Sequence, residues 1–239
     1  MSTLERPPGL TTPTDISVII PVLNEERHLE ATLAQVGQDP GVEVIVVDGG
    51  SLDDTMDIAR SHGVQVLQWA RGRAVQMNAG AVVAQGEVLL FIHGDVCLPE
   101  GWIQHVRKIL DEPDVVAGAF RFATDYDSAT MRFLSWATNL RSQRRQMPYG
   151  DQGLFLNVAT FNRVDGFPAL ALMEDYEMVR RLQRHGKIGL APVAAVCSGR
   201  RWRELGAWRC MLRNQMCMTA YRLGVSVDRI ARWYYGAVE

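Results

Sequence analysis

A chain that opens with an almost unbroken apolar, β-branched run and then alternates strand-like with helix-like stretches has few folds open to it. Ile16–Val22 (ISVIIPV) is such a run, and a strand without polar alternation is buried on both faces, as in the middle of a parallel sheet. Residues 25–37 follow, with Leu29, Leu33 and Val36 at helical spacing before Gly37 and Pro40 stop the helix. Strand-like 42–47, 64–69 and 87–92 come next, separated by helical 54–61 and 73–85. This alternation predicts an α/β fold, a mostly parallel Rossmann-like sheet with helices on both faces. Such sheets bind ligands beyond the carboxyl ends of their strands.

Beyond Pro99 the alternation loosens. Helix is expected over 99–110, strand over 115–122, an amphipathic stretch over 128–146, strand over 153–158 and helix over 174–185, with helical 205–223 and Val227–Tyr235 closing the chain. Residues 1–15 are polar and proline-bearing and read as disordered. They carry no apolar signal core, and no window of about 18 apolar residues occurs anywhere, which points to a cytoplasmic protein. The four cysteines form no CxxC pair, so reduced thiols used in packing are expected. The net charge of −2 hides an asymmetry. Residues 200–239 hold eight arginines against Glu204, Asp228 and Glu239, a local +5 that leaves −7 for residues 1–199. The tail therefore suits phosphates or an anionic surface.

Polar clusters end three of the apolar strands: Asn24-Glu25-Glu26, Asp48 before two glycines, and His93-Gly94-Asp95. A buried strand end carries a carboxylate where a polar partner awaits it, and Asp53 or Asp54 is placed to cap the following helix. If the strand persists through His93 and Asp95, residues two apart point the same way and Gly94 leaves room for a ligand. That would be a half-site for a divalent cation completed by diphosphate oxygens and water. Arg71-Gly-Arg73, with Gln76 and Asn78 following, enters a helix and suits a diphosphate. Gly150-Asp-Gln-Gly153 precedes an apolar run, and Glu174-Asp175 opens a helix, as dipole partners or as a general base. Arg200-Arg201-Trp202 sets cations beside an aromatic face.

In this order the segments ISVIIPVLNEE, VIVVDGGSLDDT, LLFIHGDVCLP and MEDYEMVRRL resemble the family 2 glycosyltransferases of the GT-A fold over about residues 16–203. GRAVQMNAGA, FIHGD, GDQGLF and SGRRW are similar, more narrowly, to a soluble bacterial subgroup of radical-SAM- or selenodomain-associated transferases. The resemblance implies a nucleotide-sugar-binding half (16–98), an acceptor and catalytic half (99–203) and a helical tail (204–239). It implies donor contacts from Pro21, Asn24, Glu25, Glu26, Asp48, Gly50, Arg73, Asn78, Gly94, Arg200, Arg201 and Trp202. Asp95, with His93 where the family usually has an acid, would hold Mn2+ or Mg2+. Asp175, beside Glu174, would be the catalytic base of an inverting transfer from a nucleoside diphosphate sugar, UDP-sugar favoured, to an unnamed acceptor. No nucleic-acid partner is implied.

Two other readings remain at this stage. One is a silent nucleotide-sugar sensor, suggested by His93 in place of an acid. The other is a sugar-nucleotide nucleotidyltransferase, although PVLNEE stands where such enzymes carry a glycine-rich basic loop. An NAD enzyme fails because no GxGxxG follows Val22. In the tail, Leu205, Trp208, Leu212, Met216, Thr219 and Leu223 share one helical stripe. It is expected to pack on its own domain or on a second copy of the chain, with peripheral membrane contact as the rival.

Overall fold

The computed structural model describes residues 15–37 and 39–236; the expected disorder of residues 1–15 falls almost wholly outside them. Strands β1 (Ile16–Val22), β2 (Val42–Asp48), β3 (Gln65–Gln68) and β4 (Val88–Phe91) alternate with helices α1 (Leu29–Val36), α2 (Thr55–Ser61) and α3 (Arg73–Val83). These four strands pair in parallel in the order β3-β2-β1-β4. Then come β5 (Val96–Cys97), α4 (Trp102–Leu110), β6 (Val115–Thr124), α5 (Ala129–Arg145), β7 (Leu154–Asn157), α6 (Val158–Arg163), α7 (Glu174–Leu182) and β8 (Lys187–Cys197). They extend the sheet to eight strands, β3-β2-β1-β4-β7-β6-β8-β5, in which β7 runs antiparallel to both β4 and β6.

The pleat sorts the core into two layers. Val18, Ile20 and Val22 of β1 face Leu29, Leu33 and Trp102 on one side, whereas Ile19 faces Ala74, Met77 and α7 on the other. Gly80 lets α3 lie close on the second face, since a β-carbon there would stand 2.5 Å from Ile19 Cγ2. The longest strand, β8, is absent from the sequence reading. Residues 188–197 are apolar, but Gly189, Pro192 and three alanines weaken the strand signal, and β8 is recruited by parallel pairing with β6.

Helices α8 (Arg200–Leu205), α9 (Ala207–Arg222) and α10 (Val227–Tyr235) complete the chain. The division expected at residue 203 falls inside α8. Cys217, Met218, Ile230 and Ala231 of the tail bury Leu172, Met173 and Tyr176 in a third apolar cluster at the start of α7. The expected packing of the Trp208 stripe on its own domain is corrected here. Leu205, Trp208, Leu212, Met216 and Leu223 are all exposed, and α9 buries Cys210, Cys217 and Met218 instead.

Candidate active site

At the carboxyl ends of β1 and β2 two loops are stitched together. Asp48, last residue of β2 and wholly buried, accepts the N–H groups of Gly50 at 2.9 Å and Ser51 at 3.1 Å and the Ser51 hydroxyl. Asn24, at a left-handed φ of 55°, accepts from Leu52 N at 2.8 Å, and its own N–H meets Ser51 Oγ at 2.8 Å. The Glu26 N–H reaches Asp53 Oδ2 at 3.2 Å and its carboxylate accepts from Asp54 N. It is Asp53, not Asp54, whose carboxylate accepts at the head of α2, from Thr55 N. Pro21 lies within β1 in register with Val47.

The N-terminus of α3 is pinned over this edge. Gln76 Nε2 donates to the carbonyls of Val22 and Val47 at 3.0 and 2.7 Å, and Oε1 accepts from Gly72 N. Asn78, expected near the donor, has both ends of its amide taken by Phe167, accepting its N–H at 3.0 Å and donating to its carbonyl at 2.8 Å.

Arg73 opens α3 toward a cavity of about 240 Å³ that also takes in His93, Asp95, Asp151, Asp175 and Arg201, with Trp202 and the inner face of α9 in its wall. Clefts that hold drug-sized ligands run to roughly 300–1,000 Å³, so this space suits a sugar-sized body rather than a whole nucleotide. The strand does not persist through His93-Gly-Asp95 as expected: β4 ends at Phe91, and a turn closed by Val96 N to His93 O brings both side chains to the cavity. Gly94 has a different use from ligand room. A β-carbon there would sit 3.0 Å from Val22 Cγ1 and 3.3 Å from Glu25 Cγ, so glycine lets the turn press on the end of β1.

Glu174 and Asp175 separate in role. Glu174, 2% exposed, pairs through Oε1 with Arg73 Nε at 2.7 Å, leaving Oε2 without a hydrogen-bond partner. Asp175 faces the cavity, where its Oδ2 accepts the Gly150 N–H at 2.9 Å. His93 closes the same corner, since a β-carbon on Gly150 would lie 3.1 Å from His93 Nε2 and 3.4 Å from Asp175 Oδ2. Arg200 points elsewhere, to Glu25 at 3.5 Å, whereas Arg201 stacks over Tyr234 of α10 at 4.3 Å.

Burial sets the charge states. It lowers His93 to about 4, helped by Arg73 and resisted by Asp95 and Asp175, so the imidazole is neutral at pH 7. It raises Glu25 to about 7, with Asp95 adding to the rise and Arg200 opposing it, and Asp151 to about 6, against Arg141. Burial also raises Glu174, while Arg73 pulls it down. For Arg73 burial works against the charge, but Glu174 and then Asp175 outweigh it and keep the guanidinium protonated. Asp151 was visible in the sequence as part of GDQG but drew no role. Its buried, unpartnered Oδ1 is the signal that marks it, and only the structure supplies that.

Among the described residues no three His, Cys, Asp or Glu side chains could hold a metal by themselves. Asp95 and neutral His93 supply two donors, which fits a hard cation shared with phosphate oxygens. Also among the described residues, no helix is long and apolar enough to cross a membrane.

A family model described as glycosyl transferase family 2 matches residues 17–167. An uncharacterized glycosyltransferase of Mycobacterium tuberculosis is 34% identical over 108 residues, 44% of this chain and 49% of that protein. The chain spans about half the length of the curated relatives it matches. A mannosyltransferase from Pyrobaculum calidifontis, solved with GDP-Man and Mn2+, superposes with a TM-score of 0.67 at 21% identity, covering 99% of this chain and 74% of that one. Glucosyl-3-phosphoglycerate synthase of M. tuberculosis, solved with Mn2+, UDP and phosphoglyceric acid, gives 0.61 at 20% identity, covering 88% and 79%. These two likenesses establish a shared fold, and with the match over 17–167 the chain belongs to glycosyl transferase family 2.

Proposed function

We propose that the chain transfers a sugar, with inversion, from a nucleoside diphosphate sugar to an acceptor hydroxyl, assisted by a divalent metal. The observation that carries this reading is Asp175. Its carboxylate is fixed by the Gly150 N–H at 2.9 Å, in a cavity it shares with Asp95, Arg73 and Arg201. The family match ends at residue 167, before Asp175, so its role rests on this geometry together with the resemblance of MEDYEMVRRL. Membership of the radical-SAM- or selenodomain-associated subgroup is part of the same proposal and rests on GDQGLF and SGRRW.

The closed loops around Asp48, Asn24, Gly50 and Glu26 form the edge that receives the nucleoside. Trp69, an exposed indole whose N–H of the main chain is held by the Asp48 carbonyl at 2.9 Å, stands beside it as a stacking surface for the base. Arg73, kept protonated by Glu174, and Arg201 face the charge that grows on the departing diphosphate. Asp95, with His93 as second donor, would hold Mn2+ or Mg2+, which when bound supplies further neutralisation of that diphosphate. Asp175 removes the acceptor's proton from the face opposite the leaving group. A product that kept the donor's anomeric configuration would contradict this assignment.

The complexes of the two solved relatives name GDP-Man and UDP as nucleotides of those proteins, so both belong in the test, with UDP-sugar first. Thermal shifts with UDP, GDP, CMP, dTDP and their sugars, with and without manganese, are to be compared in the wild type and Asp95→Ala. The expected result is stabilisation by one diphosphate family that needs both manganese and Asp95. No shift with any nucleotide at millimolar concentration would count against the donor site. Binding without release of nucleoside diphosphate over time would favour a silent sensor.

A further inference from the structure

Helices α5 and α9 lie against each other, and each leaves part of its apolar side chains in solvent. Phe133 and Trp136 of α5 stack at 5.8 Å between ring centroids, and Phe133 meets Trp208 of α9 at 6.4 Å. From Trp208 the line continues at helical spacing to Leu212 and Met216. Trp136 is 59% exposed, Trp208 52%, Leu212 56% and Met216 71%. A continuous ridge of this kind is unusual on a surface that meets only water.

The charge on the same two helices is one-sided. Residues 129–145 contain Arg132, Arg141, Arg144 and Arg145, and residues 207–222 contain Arg209, Arg213 and Arg222; neither segment has a single Asp or Glu. Seven positive charges in a chain of net −2 leave −9 for the remainder. Arg141 and Arg213 turn inward onto Tyr149 and Tyr234, whereas the other five are exposed, Arg132 beside Asp127 at 2.7 Å and Arg222 over Tyr176 at 5.8 Å. Arg132 and Arg144 fall on the Trp136 face of α5, four residues before and eight after it.

From this we infer that the α5–α9 face docks on an anionic lipid surface, with the aromatic and aliphatic ridge entering the headgroup layer and the arginines meeting lipid phosphates. Trp and Phe at the polar–apolar boundary, flanked by arginine, match such an interface. A second copy of the chain fits less well, because a two-fold interface would set one arginine-rich face against another, with no acid in either helix to offset the charge. The inner face of α9 lines the cavity with Cys210, Asn214, Cys217 and Met218. Docking would therefore hold the cavity about one helix diameter, roughly 10 Å, from the lipid surface. The inference does not depend on which donor is used.

Flotation of the full chain with vesicles of phosphatidylcholine alone, and of phosphatidylcholine with phosphatidylglycerol, tests it. Binding is expected only with the anionic lipid, and Trp136→Glu with Trp208→Glu should weaken it by roughly tenfold or more, with Arg209→Gln giving a smaller loss. Neither tryptophan lines the cavity, so nucleotide-dependent thermal shifts should be unchanged in these variants, which also verifies that they fold. Failure of the wild type to float with anionic vesicles overturns the inference. So does binding that survives the double substitution and disappears with salt, since that would be charge alone. If the wild type instead forms a dimer in sedimentation velocity that the same substitutions dissociate, without vesicle binding, the face belongs to a second copy.

Discussion

The two halves of the sheet differ in how they treat their polar groups. Along the β1–β2 edge most are satisfied, Asp48 by three donors, Gln76 by two carbonyls and an N–H, and Asn78 by both sides of Phe167. Glu25 Oε2 and His28 Nε2 after β1, in contrast, are buried without hydrogen-bond partners. Around the cavity more of them are unpaired. Asp151 Oδ1, Glu174 Oε2, Arg141 Nη2 and Arg213 Nε are buried without hydrogen-bond partners. A satisfied network fixes a shape in advance, whereas unpaired charge is costly unless something arrives to use it. One half is thus largely fixed in advance, and the other holds open groups that the proposed function uses for substrate and proton transfer.

The largest effect should come from removing the group that the cavity half contributes to chemistry while leaving the fixed half intact. Asp175→Asn keeps an acceptor oxygen for Gly150 N and abolishes the base. Its turnover should fall on the order of 10²–10⁴, with nucleotide affinity little changed, as read by single-turnover rates beside nucleotide titration. An equal loss in affinity would erase the contrast, because Asp175 would then belong with the fixed half.

Stability against pH probes one carboxyl from each half in the nucleotide-free protein. Asp151, raised from 3.8 to about 6, and Glu25, raised from 4.5 to about 7, hold protons in the folded state that the unfolded chain has already released. His93, lowered from 6.5 to about 4, works the other way, being protonated in the unfolded chain and not in the folded one. The two raised carboxyls outweigh this single group, so stability should fall as pH rises between about 4 and 7 and level off above it. Asp151→Asn should remove that residue's own share of the decline, between about pH 4 and 6, a change of about 2–3 kcal/mol, in urea unfolding at stepped pH. A profile that Asp151→Asn leaves unchanged would mean that burial does not raise that carboxyl.

Glu174→Gln comes next. It removes the charge that keeps Arg73 paired, and because that arginine side chain is 38% exposed the cost should be about 1–3 kcal/mol, below that of breaking a fully buried pair. Diphosphate, an anion that offers Arg73 a substitute, should recover part of the lost melting temperature.

How far this was legible in the sequence follows the same division. β1, β2 and β4 were readable because strands buried in the middle of a sheet must be largely apolar, whereas β3, QVLQ at the sheet edge, is legible chiefly from its place in the alternation. The cavity half was harder. β8 alternates small and partly exposed residues around Pro192, and its place comes from pairing with β6 rather than from its own pattern. In α9 the pattern points to the larger stripe as the one that packs, on this domain or on a second copy, whereas Cys210, Cys217 and Met218 turn in toward the cavity and Trp208 and Leu212 turn out. Motif singles out Asp95 and Asp175, which the fold sets on one cavity, but the partition of Glu174 to Arg73 depends on a contact across about 100 residues of chain.

Asn78 gives the smallest and most discriminating test. Resemblance places it among the donor contacts, whereas its amide is taken up in clamping α3 to Phe167, which packs edge-on to Phe91 at 4.9 Å. The two roles predict opposite outcomes for Asn78→Ala. A clamp costs about 1–2 kcal/mol, which for a chain of this size lowers the melting temperature by roughly 2–8 °C and leaves donor affinity nearly unchanged. A donor contact would do the reverse, weakening nucleotide-sugar binding with little change in the melting temperature of the free protein. Asn78→Asp refines the answer, since it keeps the acceptor for Phe167 N and turns the donor into a carboxylate facing the Phe167 carbonyl. If the clamp is its role, Asp should be no better than Ala in stability; if it contacts diphosphate, Asp should be the worse of the two in affinity, through repulsion of the anion.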